Sequence, residues 1–116
     1  MKKALIAGVS ALSLMLPGMA LADGPIKIGI LVALEGAFAA GGADGVRNVN
    51  LAIQQRGGMA GGRPIEVIVA PTDTTPDTTI RQARKLVEQD GVDFIVGPLS
   101  GSEGIAMRDF AKTVPN

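Results

Sequence analysis

Ile26, Ile28 and Ile30 alternate with Lys27 and Gly29, and Leu31 and Val32 prolong the apolar run. Such a run predicts a strand buried on both faces, as central parallel strands are. The period then changes. After the glycine-rich stretch from Gly36 to Gly45, apolar residues fall at Val46, Val49, Ala52 and Ile53, a helical stripe closed by Gly57 and Gly58 as C-cap and turn. Met59 to Pro64 is predicted to loop back, and Ile65 to Ala70 to form the second strand. Thr75-Pro76 opens a second helix with proline at its first position, Ile80, Ala83, Leu86 and Val87 sharing one face up to Asp90-Gly91. Phe94 to Val96 reads as a third, short strand running into Gly97-Pro98. Ser100 stands three residues before Glu103, the capping-box spacing, and Ala106, Met107, Phe110 and Ala111 continue a third helix.

The predicted order is β-α-β-α-β-α, without internal repeat or low-complexity tract. Strands joined by helices run parallel, and right-handed crossovers put helices on both faces, so the fold class is α/β with a doubly wound parallel sheet. If the second and third strands flank the first, their connections part at its C-terminal end and leave a crevice where ligands bind. Its expected walls are the loop from Leu34 to Asp44 and the loop from Gly97 to Ser102.

The N-terminus carries a different pattern. Lys2 and Lys3 precede an apolar run from Ala4 to Leu16, and Ala20-Leu21-Ala22 precede Asp23. These are the three parts of an export signal cleaved after Ala22. The run is shorter than the roughly 20 apolar residues that a membrane-crossing helix needs. Eleven Lys or Arg balance eleven Asp or Glu over the 116 residues, and loss of Lys2 and Lys3 leaves a slightly negative mature chain. That balance offers no footprint for nucleic acid or an anionic membrane. Without cysteine there is no disulfide, no thiolate metal site and no acceptor for a lipid anchor beside the cleavage point. The expectation is an exported protein, free in solution and unanchored. Histidine, the commonest general base and metal ligand, is also absent, so neither a metal nor another cofactor is expected. The chain closes on Ala111 to Asn116, where an alternating sheet would supply its next strand; residues 23–116 are therefore expected to be the first part of a longer domain.

Gly97 to Gly104 is the most chemically suggestive stretch, because it opens a helix. Unpaired first-turn N–H groups and the helix dipole favour a ligand carboxylate there by about 0.3–1 kcal/mol. Two readings stand: the serines contact a ligand, or Ser100 only caps the helix with Glu103 returning the bond. The glycines of the first loop either shape a cleft wall or only make a turn. They miss the spacing of a dinucleotide fingerprint, and no Gly-Lys-Ser/Thr phosphate loop occurs. Asp73 and Asp77 could form a cation site or an acid/base pair, against the plainer duty of ordering the chain into the second helix. An exported hydrolase with Ser100 as nucleophile lacks both a histidine and a Gly-x-Ser-x-Gly elbow, so no enzyme is expected.

Lys27-Ile28-Gly29-Ile30 leading to Gly36, then Arg56-Gly57-Gly58-Met59-Ala60-Gly61-Gly62-Arg63-Pro64-Ile65-Glu66-Val67, then Asp93-Phe94-Ile95-Val96-Gly97-Pro98 and the serines after it resemble the substrate-binding proteins of branched-chain amino acid (leucine-binding-protein-like) ABC transporters. The resemblance spans nearly all of Ile26 to Pro115. It implies the first part of the N-terminal, flavodoxin-like lobe of a type I periplasmic binding protein, whose ligand lies between two lobes that close by hinge motion. The implied task is capture of an amino acid or related small carboxylate or amide and its delivery to a membrane permease; a ligand-sensing domain of the same fold is the alternative. The implied ligand-binding residues are Ser100, Gly101, Ser102 and Leu99 after the third strand, with Phe38 and Gly41 in the first loop. Two positions depart from the family pattern: its ligand-contacting serine aligns with Gly101, and a covering aromatic with Gly41. The resemblance thus leaves the ligand open between amino acids and aromatic acids, amides or urea-like compounds.

Overall fold

Strand β1 (Ile26–Ala33) lies at the centre of a four-stranded sheet, and its last residues, Ile30 to Ala33, are fully buried. The computed structural model describes residues 24–115, so the predicted export signal lies outside the described residues. After β1 come a 3-10 turn (Gly36–Phe38), α1 (Ala39–Gln55), β2 (Met59–Ala60), β3 (Arg63–Thr72), α2 (Pro76–Arg84), β4 (Phe94–Val96) and α3 (Gly101–Ala111). The strand order is β2-β3-β1-β4. β1 pairs in parallel with β3 from Ile26 opposite Ile65 to Ala33 opposite Thr72, and with β4 from Ile28 opposite Phe94 to Ile30 opposite Val96. β3 and β4 therefore flank β1, the arrangement that opens a crevice at its C-terminal end.

The structure departs from the sequence pattern at two places. Met59 to Pro64 is not a loop but a hairpin: β2 pairs antiparallel with β3, Ala60 opposite Arg63, which makes the sheet mixed and extends β3 back to Arg63, while pairing with β1 extends it to Thr72. The glycine-rich stretch is mostly helix as well, since α1 starts at Ala39 rather than near Val46. One of its glycines, Gly42, serves packing rather than looping. A Cβ on Gly42 would stand 1.8 Å from the Ala33 carbonyl oxygen and 3.0 Å from a Val32 methyl, so only glycine lets the helix sit this close to the end of β1. Local propensity reads glycine as a breaker, and tertiary contact overrides it here.

α2 and α3 pack together on the other face, where Leu31, Ala70, Ala83, Leu86 and Phe110 form the buried cluster. Burying a leucine such as Leu31 or Leu86 is worth about 1.5–3 kcal/mol. The Thr75-Pro76 helix start is as predicted: the Thr75 hydroxyl accepts from the Thr78 N–H at 3.4 Å. α2 widens into a π-turn over Lys85–Gln89 before Asp90. The Lys27 and Asp93 backbones then align β4 on β1, with the Lys27 N–H donating to the Asp93 carboxylate at 2.8 Å and the Asp93 N–H to the Lys27 carbonyl at 2.9 Å.

Candidate functional site

Three parallel strands bring the exits of β1, β3 and β4 to one end of the sheet. Phe38, after β1, and Ser100, after β4, therefore share that end. Toward that end a recess of about 150 Å³ is walled by Ile30 and Val32 from β1, Gly41, Gly42, Gly45 and Val49 from α1, Val96 at the end of β4, and Gly97 to Leu99 after it. The wall on the β1 side is thus the first turns of α1 rather than the open loop expected over Leu34 to Asp44. The opposite wall leaves β4 through Gly97, whose φ of 107° lies where side chains are disfavoured. A Cβ there would stand 2.0 Å from the Leu31 carbonyl oxygen. The chain can cross that close to β1 only because position 97 is glycine.

Of the six expected site residues, Gly41 and Leu99 line this recess together. Phe38 sits in the 3-10 turn at the same end, half exposed and outside the lining. Ser100, Gly101 and Ser102 form the entry to α3. Both bonds of the capping box are present: the Ser100 hydroxyl accepts from the Glu103 N–H at 3.4 Å, and the Glu103 carboxylate accepts from the Ser100 N–H at 3.1 Å. The Ser100 hydroxyl also donates to Glu103 at 2.7 Å and lies 3.3 Å from the Ser102 hydroxyl. The N–H groups of Gly101 and Ser102 belong to the first turn, where an α-helix supplies no acceptor of its own.

The capping-box spacing predicts Glu103 only as the partner of Ser100. In the structure its side chain is completely buried and accepts from Thr72 at 2.6 Å and Thr79 at 2.8 Å besides Ser100. Removal from water raises its carboxyl, but the hydrogen bonds from Ser100, Thr72 and Thr79 outweigh that and hold it below the ordinary carboxylate value. The Thr79 hydroxyl also reaches the Thr75 carbonyl at 2.9 Å, so its single proton is shared between two acceptors. The capping-box spacing was the one available signal; the partners on β3 and α2 had none.

The other polar cluster is a turn. Asp73 accepts from the Thr75 hydroxyl at 2.6 Å, the Thr75 N–H at 3.0 Å and the Thr78 hydroxyl at 3.1 Å. The Thr75 hydroxyl above all keeps the Asp73 carboxyl below its ordinary value. Among the described residues, no group of three or more acidic side chains is placed to hold a metal ion, and no helix is long and apolar enough to cross a membrane. A larger depression, about 690 Å³, runs along the open edge of β4 and reaches Gly97 at its exit. Its walls include Val87, Val92, Met107 and Phe110, continuous with the buried cluster.

A doubly wound lobe that gathers its loops at a topological switch point defines a class of small-molecule-binding domains. The chain belongs to the periplasmic binding protein family, whose model matches residues 25–114. It is similar to an ABC transporter substrate-binding protein from Sphaerobacter thermophilus, at 36% identity and TM-score 0.73 over 77% of this chain and 24% of that one. A solute-binding protein of an ABC transporter from Rhodopseudomonas palustris BisB5, in complex with 3,4-dihydroxybenzoic acid, matches at 28% identity and TM-score 0.74 over 78% of this chain and 25% of that one. One from R. palustris in complex with benzoate matches at 27% and 0.73, over 78% and 25%. A leucine-binding protein from Thermotoga maritima shares the fold at 17% identity and TM-score 0.70, over 76% and 25%. These relatives are binding proteins rather than enzymes, and the chain spans about a quarter of their length. No curated protein matches the chain.

Proposed function

We propose that this chain is the first part of the N-terminal lobe of an exported solute-binding protein that captures a small carboxylate-bearing solute and hands it to an ABC permease. The observation that carries the reading is the apolar recess between α1 and the β4–α3 loop, beside the first-turn N–H groups of α3. Apolar walls suit the hydrocarbon part of a solute, and free amide hydrogens at a helix N-terminus suit its carboxylate. In this reading Ser100, Gly101, Ser102 and Leu99 meet the solute from one side and Phe38 and Gly41 from the other. Residues 1–22 are its export signal, leaving a soluble periplasmic protein without a lipid anchor, and residues 23–116 open the lobe. No catalysis is proposed.

Glycine at position 41 leaves open space above the recess, with nothing within 4 Å of where a Cβ would stand. That room supports an aromatic acid, as do the relatives solved with benzoate and 3,4-dihydroxybenzoic acid, over a compact amino acid. A thermal-shift screen of the intact protein against benzoates and branched-chain amino acids is the direct test. A solute present at a hundred times its dissociation constant is expected to add about 2.7 kcal/mol of stability. Stabilisation by a benzoate supports the reading, stabilisation by leucine alone replaces the solute class, and no shift with any carboxylate removes the site.

A further inference from the structure

A fully buried carboxylate at the base of a binding loop is costly unless its oxygens are hydrogen-bonded. Glu103 joins three elements. One oxygen, Oε1, takes hydrogens from Thr72 at the end of β3 and from Thr79 in α2; the other, Oε2, takes the N–H and the hydroxyl of Ser100. Thr72 and Thr79 are themselves buried, and no buried side-chain polar atom among the described residues lacks a partner. A simple capping box needs only Ser100 and Glu103. The two threonines are additional, and they anchor the β4–α3 loop to elements that precede it by 31 and 24 residues.

Counting protons fixes the direction of the remaining contacts. A hydroxyl has one hydrogen, and that of Ser100 goes to Glu103 at 2.7 Å, the shorter of its two hydroxyl contacts. In the 3.3 Å contact between the two serines, Ser102 is therefore the donor. That bond is long, and Ser102 is exposed, so its hydrogen is free to turn to a better acceptor.

We infer that Glu103 is the positioning residue of the solute site. It locks the β4–α3 loop onto β3 and α2 and turns the Ser100 hydroxyl inward, so that the Gly101 and Ser102 amides and the Ser102 hydroxyl are the donors left for a solute carboxylate. The inference rests on the reading that this loop holds the solute.

The test uses the intact protein, with benzoate and L-leucine as probes in titration calorimetry, and selective ¹⁵N-glycine and ¹⁵N-serine labelling to follow the Gly101 and Ser102 amides. Glu103→Leu, folded by circular dichroism, is expected to lose on the order of tenfold in affinity, the size seen when a support for binding groups is removed. Glu103→Gln, which can still accept from Ser100 while its amide faces the two threonines, is expected to restore most of that loss. Thr72→Val and Thr79→Val leave the capping box in place, so weaker binding in them isolates the tie to β3 and α2. They carry the test if Glu103→Leu does not fold. Wild-type affinity in the threonine variants, with unmoved Gly101 and Ser102 signals, overturns the inference. If the wild-type protein binds neither probe, the solute reading fails. The probe-free amide signals then decide about Glu103 separately: unmoved signals across the variants overturn its role, and displaced signals sustain it.

Discussion

Gly41 and Gly42 are neighbours in α1 with opposite tolerances. At position 42 a methyl group meets the Ala33 carbonyl, whereas at 41 it meets nothing. Gly42→Ala is expected to cost about 1–3 kcal/mol through forced movement of helix against strand. Gly41→Ala is expected to gain about 0.5–1 kcal/mol from helix propensity. Urea unfolding with an unchanged slope distinguishes the two, because only the midpoint should move, and in opposite directions. At Gly97, alanine faces both an unfavourable φ and the Leu31 carbonyl. The conformational part alone costs about 1–2 kcal/mol. Gly97 and Gly42 both wall the recess, so either substitution is expected to weaken solute binding as well as stability.

At the scale of elements, the entry to α3 combines a cap with a buried charge. Ser100→Ala removes the acceptor for the Glu103 N–H and is expected to cost about 1 kcal/mol, the usual value of an N-cap. The pH dependence follows from Glu103. Its folded-state carboxyl lies below the ordinary value of 4.5, so its stabilisation is complete above that value and is lost as pH falls through the folded one. Stability is therefore expected to decline on acidification from pH 5 toward pH 3, and Glu103→Gln should flatten that decline. It should not abolish it, since Asp73, held down by Thr75, and Asp109, held down by Arg108, act in the same direction. Thermal melts across this range check the claim; identical slopes in the two proteins would refute it.

These elements differ in how far local sequence announced them. Thr75-Pro76 and Ser100-x-x-Glu103 were readable because a cap is satisfied within three residues of itself. β1 was readable because a strand covered on both faces is apolar at nearly every position. The start of α1 was not, because the reason for Gly42 lies on another element. The β2–β3 hairpin was hidden because β2 is only two residues long and the Gly61-Gly62 turn beside it carries no strand periodicity.

At the scale of the whole molecule, β4 is short and forms one edge of the sheet. Phe94 is 62% and Val96 48% exposed, and the groove of about 690 Å³ runs beside them. An unpaired edge carrying exposed apolar side chains is a template for association. The polypeptide 23–116 by itself is expected to self-associate as its concentration rises, and Val96→Lys to shift it toward monomer. Sedimentation at several concentrations checks this; a monodisperse monomer at all of them would refute it.

The sequence by itself determined the order and kind of the main elements, the central place of β1, the absence of histidine and cysteine chemistry, and the resemblance that family membership bears out. Those follow from periodicity, caps and composition, which act within a few residues. Only the tertiary structure decided that glycines in a breaker-rich stretch belong to a helix, that Gly41 and Leu99 share a recess, and that Glu103 serves β3 and α2 as well as its own cap. Each depends on distances between atoms far apart in the chain, and a linear pattern carries no information about which distant side chain a buried hydrogen bond will find.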